Sequence, residues 1–176
     1  MKFFIKLLTH VSLFALIFFL VGCASMPPPE RLPITTEKRD FIYDFKVPGK
    51  SKTELFNNAR NYLATSYGNS KDVTRVEDLK EGTIIGKAVS EWKFSTDSWM
   101  IPHVPCYSRY NIFFVAKDEK ARLQLSLLEG TVLPSCGWSL PPKRDYPQIV
   151  DQFNAIANDL KSALDGSSTI ERLKNF

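Results

Sequence analysis

A two-layer α+β sandwich, with a five-stranded antiparallel sheet carrying two helices on one face in the order β-α-β-β-β-β-α, is the fold this sequence predicts. Three observations point to it. Five segments between residues 41 and 131 alternate apolar and polar side chains with the period of half-buried strands, and two others carry the stripe of amphipathic helices. Four of the strands follow one another across turns too short for anything but antiparallel pairing. Two amphipathic helices can bury their stripes together only on one side of such a sheet, which leaves the other side uncovered.

The elements follow in order. Phe41, Tyr43, Phe45 and Val47 alternate with Ile42, Asp44 and Lys46, which is a strand, and Pro48 with Gly49 ends it. Ser51 and Glu54 have the spacing of a capping box, and Leu55, Ala59, Tyr62, Leu63 and Ser66 form a single helical stripe that Gly68 is placed to close. Val73 to Leu79 reads as a short strand, and Lys80, Glu81 and Gly82 turn it into a longer one, Thr83 to Phe94. Tyr107 to Lys117 and Ala121 to Thr131 make a hairpin about Asp118 and Glu119, with Leu123, Leu125 and Leu127 on one face. Asp145 stands where it can cap the second helix, and Pro147 falls in its first turn, where a missing N–H costs little. That helix carries the stripe Ile149, Phe153, Ile156, Leu160 and Leu164 and ends at Gly166. Trp92 and Tyr110 are read onto the uncovered sheet face.

Ahead of this domain the chain carries an address. Lys2 and Lys6 form a basic head and Val11 to Val21 an apolar core, the layout of a secretory signal. Leu20, Val21, Gly22 and Cys23 then resemble the bacterial lipobox. The resemblance implies cleavage before Cys23 and acylation of its thiol and its new amine, and Ala24 in place of Asp at the following position implies the outer membrane. An uncleaved transmembrane anchor is the alternative reading of the apolar block. Each buried acyl methylene contributes about 0.8 kcal/mol, so several long chains would hold the protein on the bilayer. Residues 1–22 are therefore read as signal peptide, 23–39 as lipidated Cys23 with a Pro-rich solvated tether, 40–166 as the domain and 167–176 as a tail. The tether, rich in polyproline-forming residues, would reach up to ~45 Å. Removal of the signal leaves 176 − 22 = 154 residues, one domain's worth, and a formal charge of 21 − 19 = +2. That is too near neutral for a nucleic-acid binder.

The region from Phe41 to about Leu164 resembles a family of bacterial envelope lipoproteins whose domain has no assigned function and a TBP-like fold. The residues that carry the likeness are the stretch from Val47 to Phe56, the strand start from Gly82 to Gly86, and Tyr146 to Ile149. The resemblance implies a topology and supplies no catalytic residues, and a TBP-like shape implies no DNA binding.

Cys106 and Cys136 remain after lipidation, an even pair for an oxidising compartment. With the turn at Asp118 and Glu119, Cys106 should face Thr131. A straight strand would then carry Cys136 some ~16 Å past it, so Pro134 and Gly137 must turn the chain back for a disulfide to form. Two buried thiols are the alternative. His103, the single histidine after Cys23, lies too poorly supplied with partners for a nucleophilic dyad or a zinc site, which needs three or four ligands. No catalytic residue, metal or cofactor is expected. The loops before Tyr107 and after Thr131 meet at one end of the sheet and carry Trp99, Met100, Ile101, His103, Val104, Trp138 and Leu140. These either pack over the open end of the core or form a binding rim, for which Trp99, His103 and Trp138 are the candidates. The function expected is that of a non-catalytic outer-membrane lipoprotein whose periplasmic domain binds another envelope component, protein or glycan. A carrier or sensor of a small apolar ligand is the alternative, and a hydrolase a minor one.

Overall fold

The computed structural model describes residues 28–67, 74–96, 99–100, 103–131 and 140–167. The signal segment with Leu20, Val21, Gly22 and Cys23, and also Gly68, Cys136, Trp138 and most of the tail, lie outside them. Five strands, β1 (Asp40–Lys46), β2 (Thr74–Asp78), β3 (Thr83–Ser95), β4 (His103–Lys117) and β5 (Lys120–Thr131), form one antiparallel sheet in the order β1-β5-β4-β3-β2. Helices α1 (Lys52–Ser66) and α2 (Tyr146–Leu164) both cover the same face. The chain order and the two-layer architecture are those predicted from the periods.

Strand parity puts Phe41, Phe45, Ile84, Ala88, Tyr110, Ile112, Phe114, Leu123, Leu125 and Leu127 under the helices. The helices answer with Leu55, Phe56, Ala59 and Leu63 from α1 and Ile149, Phe153, Ala157 and Leu160 from α2. Phe153 sits at the centre, edge-on to Phe41 at 5.1 Å and tilted against Tyr110 at 4.9 Å between ring centroids. Trp92 and Tyr110 belong to this buried layer, not to the uncovered face. They share parity with Ile84 and Ala88, and each finds an internal partner for its polar end: Trp92 Nε1 donates to Ser108 Oγ at 3.0 Å, and the Tyr110 and Tyr67 hydroxyls meet at 2.8 Å. Burial pushes both phenols above their ordinary range.

The capping box of α1 is made in full: Ser51 Oγ accepts from the Glu54 N–H at 3.3 Å and the Ser51 N–H donates to Glu54 Oε2 at 2.9 Å. Four departures from the sequence reading have local causes. β4 starts at His103, four residues early, although Pro105 lies inside it. The described ladder with β5 ends at Ser108 opposite Thr131, so Pro105 lies beyond it, paired on its other side with Lys93 of β3. A bulge between Ser108 and Tyr110 absorbs extra residues of β5, so Thr131 faces Ser108 rather than Cys106. Asp145 occupies the N-cap of α2 without capping it; its side chain bonds elsewhere. Finally, the tether is solvated only in part. A 3-10 turn at Pro29–Arg31 leads into a segment held by hydrogen bonds from Ile34 N to Pro141 O, Lys143 N to Leu32 O and Arg144 N to Glu30 O, and Ile34 is only 2% exposed. One buried isoleucine with paired backbone on both sides converts the second half of the tether into part of the domain.

Among the described residues β2 pairs with β3 from Thr83 to Gly86 and no strand pairs with the rest of that side of β3. Two glutamines one turn apart on α2 cover it. Gln148 accepts from Lys93 N at 2.9 Å and donates to Lys93 O at 3.0 Å, and Gln152 donates to Glu91 O. Their amides occupy backbone donors and acceptors of β3 as a neighbouring strand would.

Candidate functional site

Three surfaces were open as sites: the aromatic end, the buried polar cluster beneath it, and the sheet face that no helix covers. At the aromatic end the structure divides the expected residues. Leu140 is buried and packs over the core, whereas Trp99 is 88% and Met100 68% exposed. His103 begins β4, exposed, opposite Ser95 of β3. Leu140 thus belongs to the core, and Trp99 stands largely exposed. Cys106 lies 1% exposed opposite Trp92 on the covered face.

Below this rim, sequence reasoning missed Asp145. It is 3% exposed, and its carboxylate is hydrogen-bonded to Ser95 and lies 3.8 Å from Arg144 Nε. Among the described residues its Oδ2 has no hydrogen-bond partner. Desolvation pushes its pKa up, against the opposing pull of Arg144, Ser95 and His103. Ser95 stands opposite His103 in the β3–β4 register, and Asp145 reaches the Ser95 end of that pair. Arg144 adds a hydrogen bond from Nη2 to Ser95 O at 2.5 Å and lies over the Phe94 ring at 5.9 Å. The cluster ties the segment before α2 to the end of β3. Its signal in the sequence was a lone acid that also suited a cap, and nothing local distinguished the two roles.

The uncovered face carries rows of side chains set by cross-strand register. One row runs Ile42, Gln124, Phe113, Ile85, Val76 across all five strands, with Ile42 and Val76 about half exposed. At the end of the sheet away from Trp99, Lys46 pairs with Lys120 and Lys120 with Lys117, so three exposed lysines stand side by side. They line a groove of about 510 Å³ with Asp44, Phe45, Val115, Ala121 and Arg122. Like charges directly opposite each other in a sheet repel. The acids at this end of the sheet bond other donors. Asp44 is taken by a two-pronged bridge from Arg122 at 2.6 and 2.9 Å, and those hydrogen bonds hold its carboxyl below the usual range. Asp118 Oδ1 accepts from the Lys52 N–H at 2.7 Å, and Glu119 Oε1 from the Gly49 N–H at 3.0 Å, both on the loop that starts α1. Among the described residues no ion pair involves any of the three lysines. Its lining thus carries Lys46, Lys117, Lys120 and Arg122 against the single carboxylate of Asp44. Among the described residues no group of His, Cys, Asp and Glu is disposed to hold a metal ion, and no helix is long and apolar enough to cross a membrane.

Residues 41–129 match the family described as a domain of unknown function (DUF4468) with TBP-like fold. Among solved structures, a DUF4468 family protein from Bacteroides ovatus ATCC 8483 is similar at 20% identity and a TM-score of 0.44, over 55% of this chain and 57% of that one. This chain therefore spans little more than half of that relative's length. A TBP-like protein from Parabacteroides distasonis ATCC 8503 aligns at 16% identity and a TM-score of 0.50, over 74% of this chain and 96% of that one. It shares the fold. Comparison with curated proteins gave no match.

Proposed function

The chain belongs to the family of domains of unknown function (DUF4468) with TBP-like fold, and from that premise we propose that it is a non-catalytic, outer-membrane-anchored lipoprotein whose periplasmic domain binds an anionic envelope component, protein or glycan. The observation that carries the binding role is the row Lys46, Lys120 and Lys117 on the uncovered face, in no ion pair among the described residues while Asp118 and Glu119 bond the backbone of the loop that starts α1. Single lysines at a hairpin tip are explained by solvation. Three in adjacent register positions cost stability that a bound anion would restore.

The anchor is supported by the residues from Leu20 to Cys23 behind a basic and apolar leader. A non-catalytic role is supported by the buried Asp145 bonding Ser95 instead of orienting His103. A bridge between Cys106 and Cys136 is part of the same reading. Its support is that Cys106 is buried, 1% exposed on the covered face. With Thr131 opposite Ser108, a straight strand would overshoot by about 10 Å rather than ~16 Å.

Crosslinking in cells from Lys120 tests the proposal. A photoreactive side chain there should capture one envelope component from the acylated protein, and the triple variant K46E/K117E/K120E should lose it. Undiminished capture by the triple variant would overturn the assignment to this groove. Metabolic labelling with an alkyne fatty acid tests the anchor, and labelling that persists in Cys23→Ala would refute it.

A further inference from the structure

The docking of the tether changes where an anchored domain must stand. Only residues 24–28 lie between Cys23 and the 3-10 turn at Pro29, and five residues span at most ~16 Å. The chain enters the domain beside the root of the loop that carries Trp99. Glu30 O accepts from Arg144 N at 3.0 Å, and Arg144 Nη2 reaches Ser95 O, the last residue of β3, four residues before Trp99. A single arginine thus spans from the point of entry to the base of the exposed tip. Trp99 and Met100 project there as the most exposed large apolar side chains among the described residues, with Leu32 of the docked segment also 43% exposed.

We propose that this end of the sheet, through Trp99 and Met100, rests in the interface of the bilayer that holds the acylated Cys23. The inference depends on the lipid-anchor reading above. Its own ground is the number of residues between Cys23 and Pro29 and the place where the chain enters the fold. A tryptophan ring, apolar in body with one N–H donor, is suited to the headgroup region, and a tether this short keeps it within reach of that region. The lysine groove then stands at the far end of the sheet: β4 runs the length of the domain, so 15 residues at about 3.3 Å each would hold Lys117 roughly 45–50 Å from His103, facing away from the membrane. A partner class other than lipid for the tip, such as a protein that covers Trp99, is a separate outcome of the test.

The test uses the full-length acylated protein in phosphatidylethanolamine–phosphatidylglycerol vesicles, with and without phospholipid brominated near the headgroup, in a Trp138→Phe background. Trp92 is 1% exposed beneath the helices and serves as the unquenched internal reference. Mass spectrometry first establishes the state of Cys23. Quenching of the emission by brominated lipid, abolished by Trp99→Phe, is the expected result. Acylated protein whose Trp99 emission is untouched by brominated lipid and open to aqueous iodide would overturn the docking and leave the anchor standing. Protection of Trp99 from both quenchers would also overturn it, in favour of contact with protein. An unmodified Cys23 would overturn anchor and docking together.

Discussion

Replacing Gly82 by Ala should destabilise the domain by about 2–4 kcal/mol, and replacing Gly49 by Ala by only about 1 kcal/mol. Both glycines adopt left-handed backbone, at φ 70° and 77°, which costs an L-residue about 1–2 kcal/mol. The gain from restricting the unfolded chain offsets part of that in each case, by about 0.4–1 kcal/mol. The surroundings differ. A Cβ at Gly49 meets nothing within 4 Å, whereas a Cβ at Gly82 would lie 2.5 Å from the backbone oxygen of Ala116 and 3.1 Å from the stem of Lys52. The lysine can swing away, but the carbonyl belongs to the central strand β4. Gly82 O also accepts the Ala116 N–H at 2.8 Å, so moving β3 aside strains a hydrogen bond worth about 1 kcal/mol net. Urea unfolding of the two variants beside the parent is the assay. With a slope of about 1–3 kcal/mol per molar for a domain of this size, the midpoints should separate by roughly 1 M, Gly82→Ala being the lower. Coincident midpoints would refute the reasoning, because they would mean that the close approach to Ala116 adds nothing to the backbone cost.

Other outcomes follow from the same structure. Phe153→Ala removes the ring that joins Phe41 and Tyr110 and should cost about 3–5 kcal/mol, read as a lowered midpoint in the same urea experiment. Asp145 has a raised pKa, so its contribution to stability is lost as pH rises from the ordinary carboxyl value of about 4 through its folded value. Asp145→Asn should therefore gain on the parent as pH rises through that window, seen as a growing difference in Tm; a difference that stays constant with pH would contradict it. Lys120→Gln relieves repulsion from Lys46 and Lys117 and should raise stability by about 0.5 kcal/mol at low ionic strength, a gain that vanishes in salt. Denatured, non-reduced mature protein should show no alkylatable thiol at Cys106 or Cys136, and two would exclude the bridge.

The amino-acid sequence by itself determined what depends on neighbours within a turn or a strand. The alternation from Phe41 to Val47, the Ser51 and Glu54 box, the two-residue hairpin at Asp118 and Glu119, and the stripe from Ile149 to Leu164 are each set by residues at most a few positions apart. Short-range sterics and hydrogen bonds suffice for them, and with four consecutive strands they imply the sandwich. Only the tertiary structure decided what depends on remote partners. Trp92 and Tyr110 go inward because Ser108 and Tyr67 wait there for their polar ends. Asp145 leaves its cap because Ser95, fifty residues earlier, binds it, and Ile34 is buried because the segment at Pro141 pairs with its backbone. The lysine row is equally invisible in the chain, since Lys46 lies more than seventy residues from its neighbours and their meeting is a matter of register. Local free energy selects the elements; burial and cross-strand register, which sum contacts from distant segments, decide which faces they show.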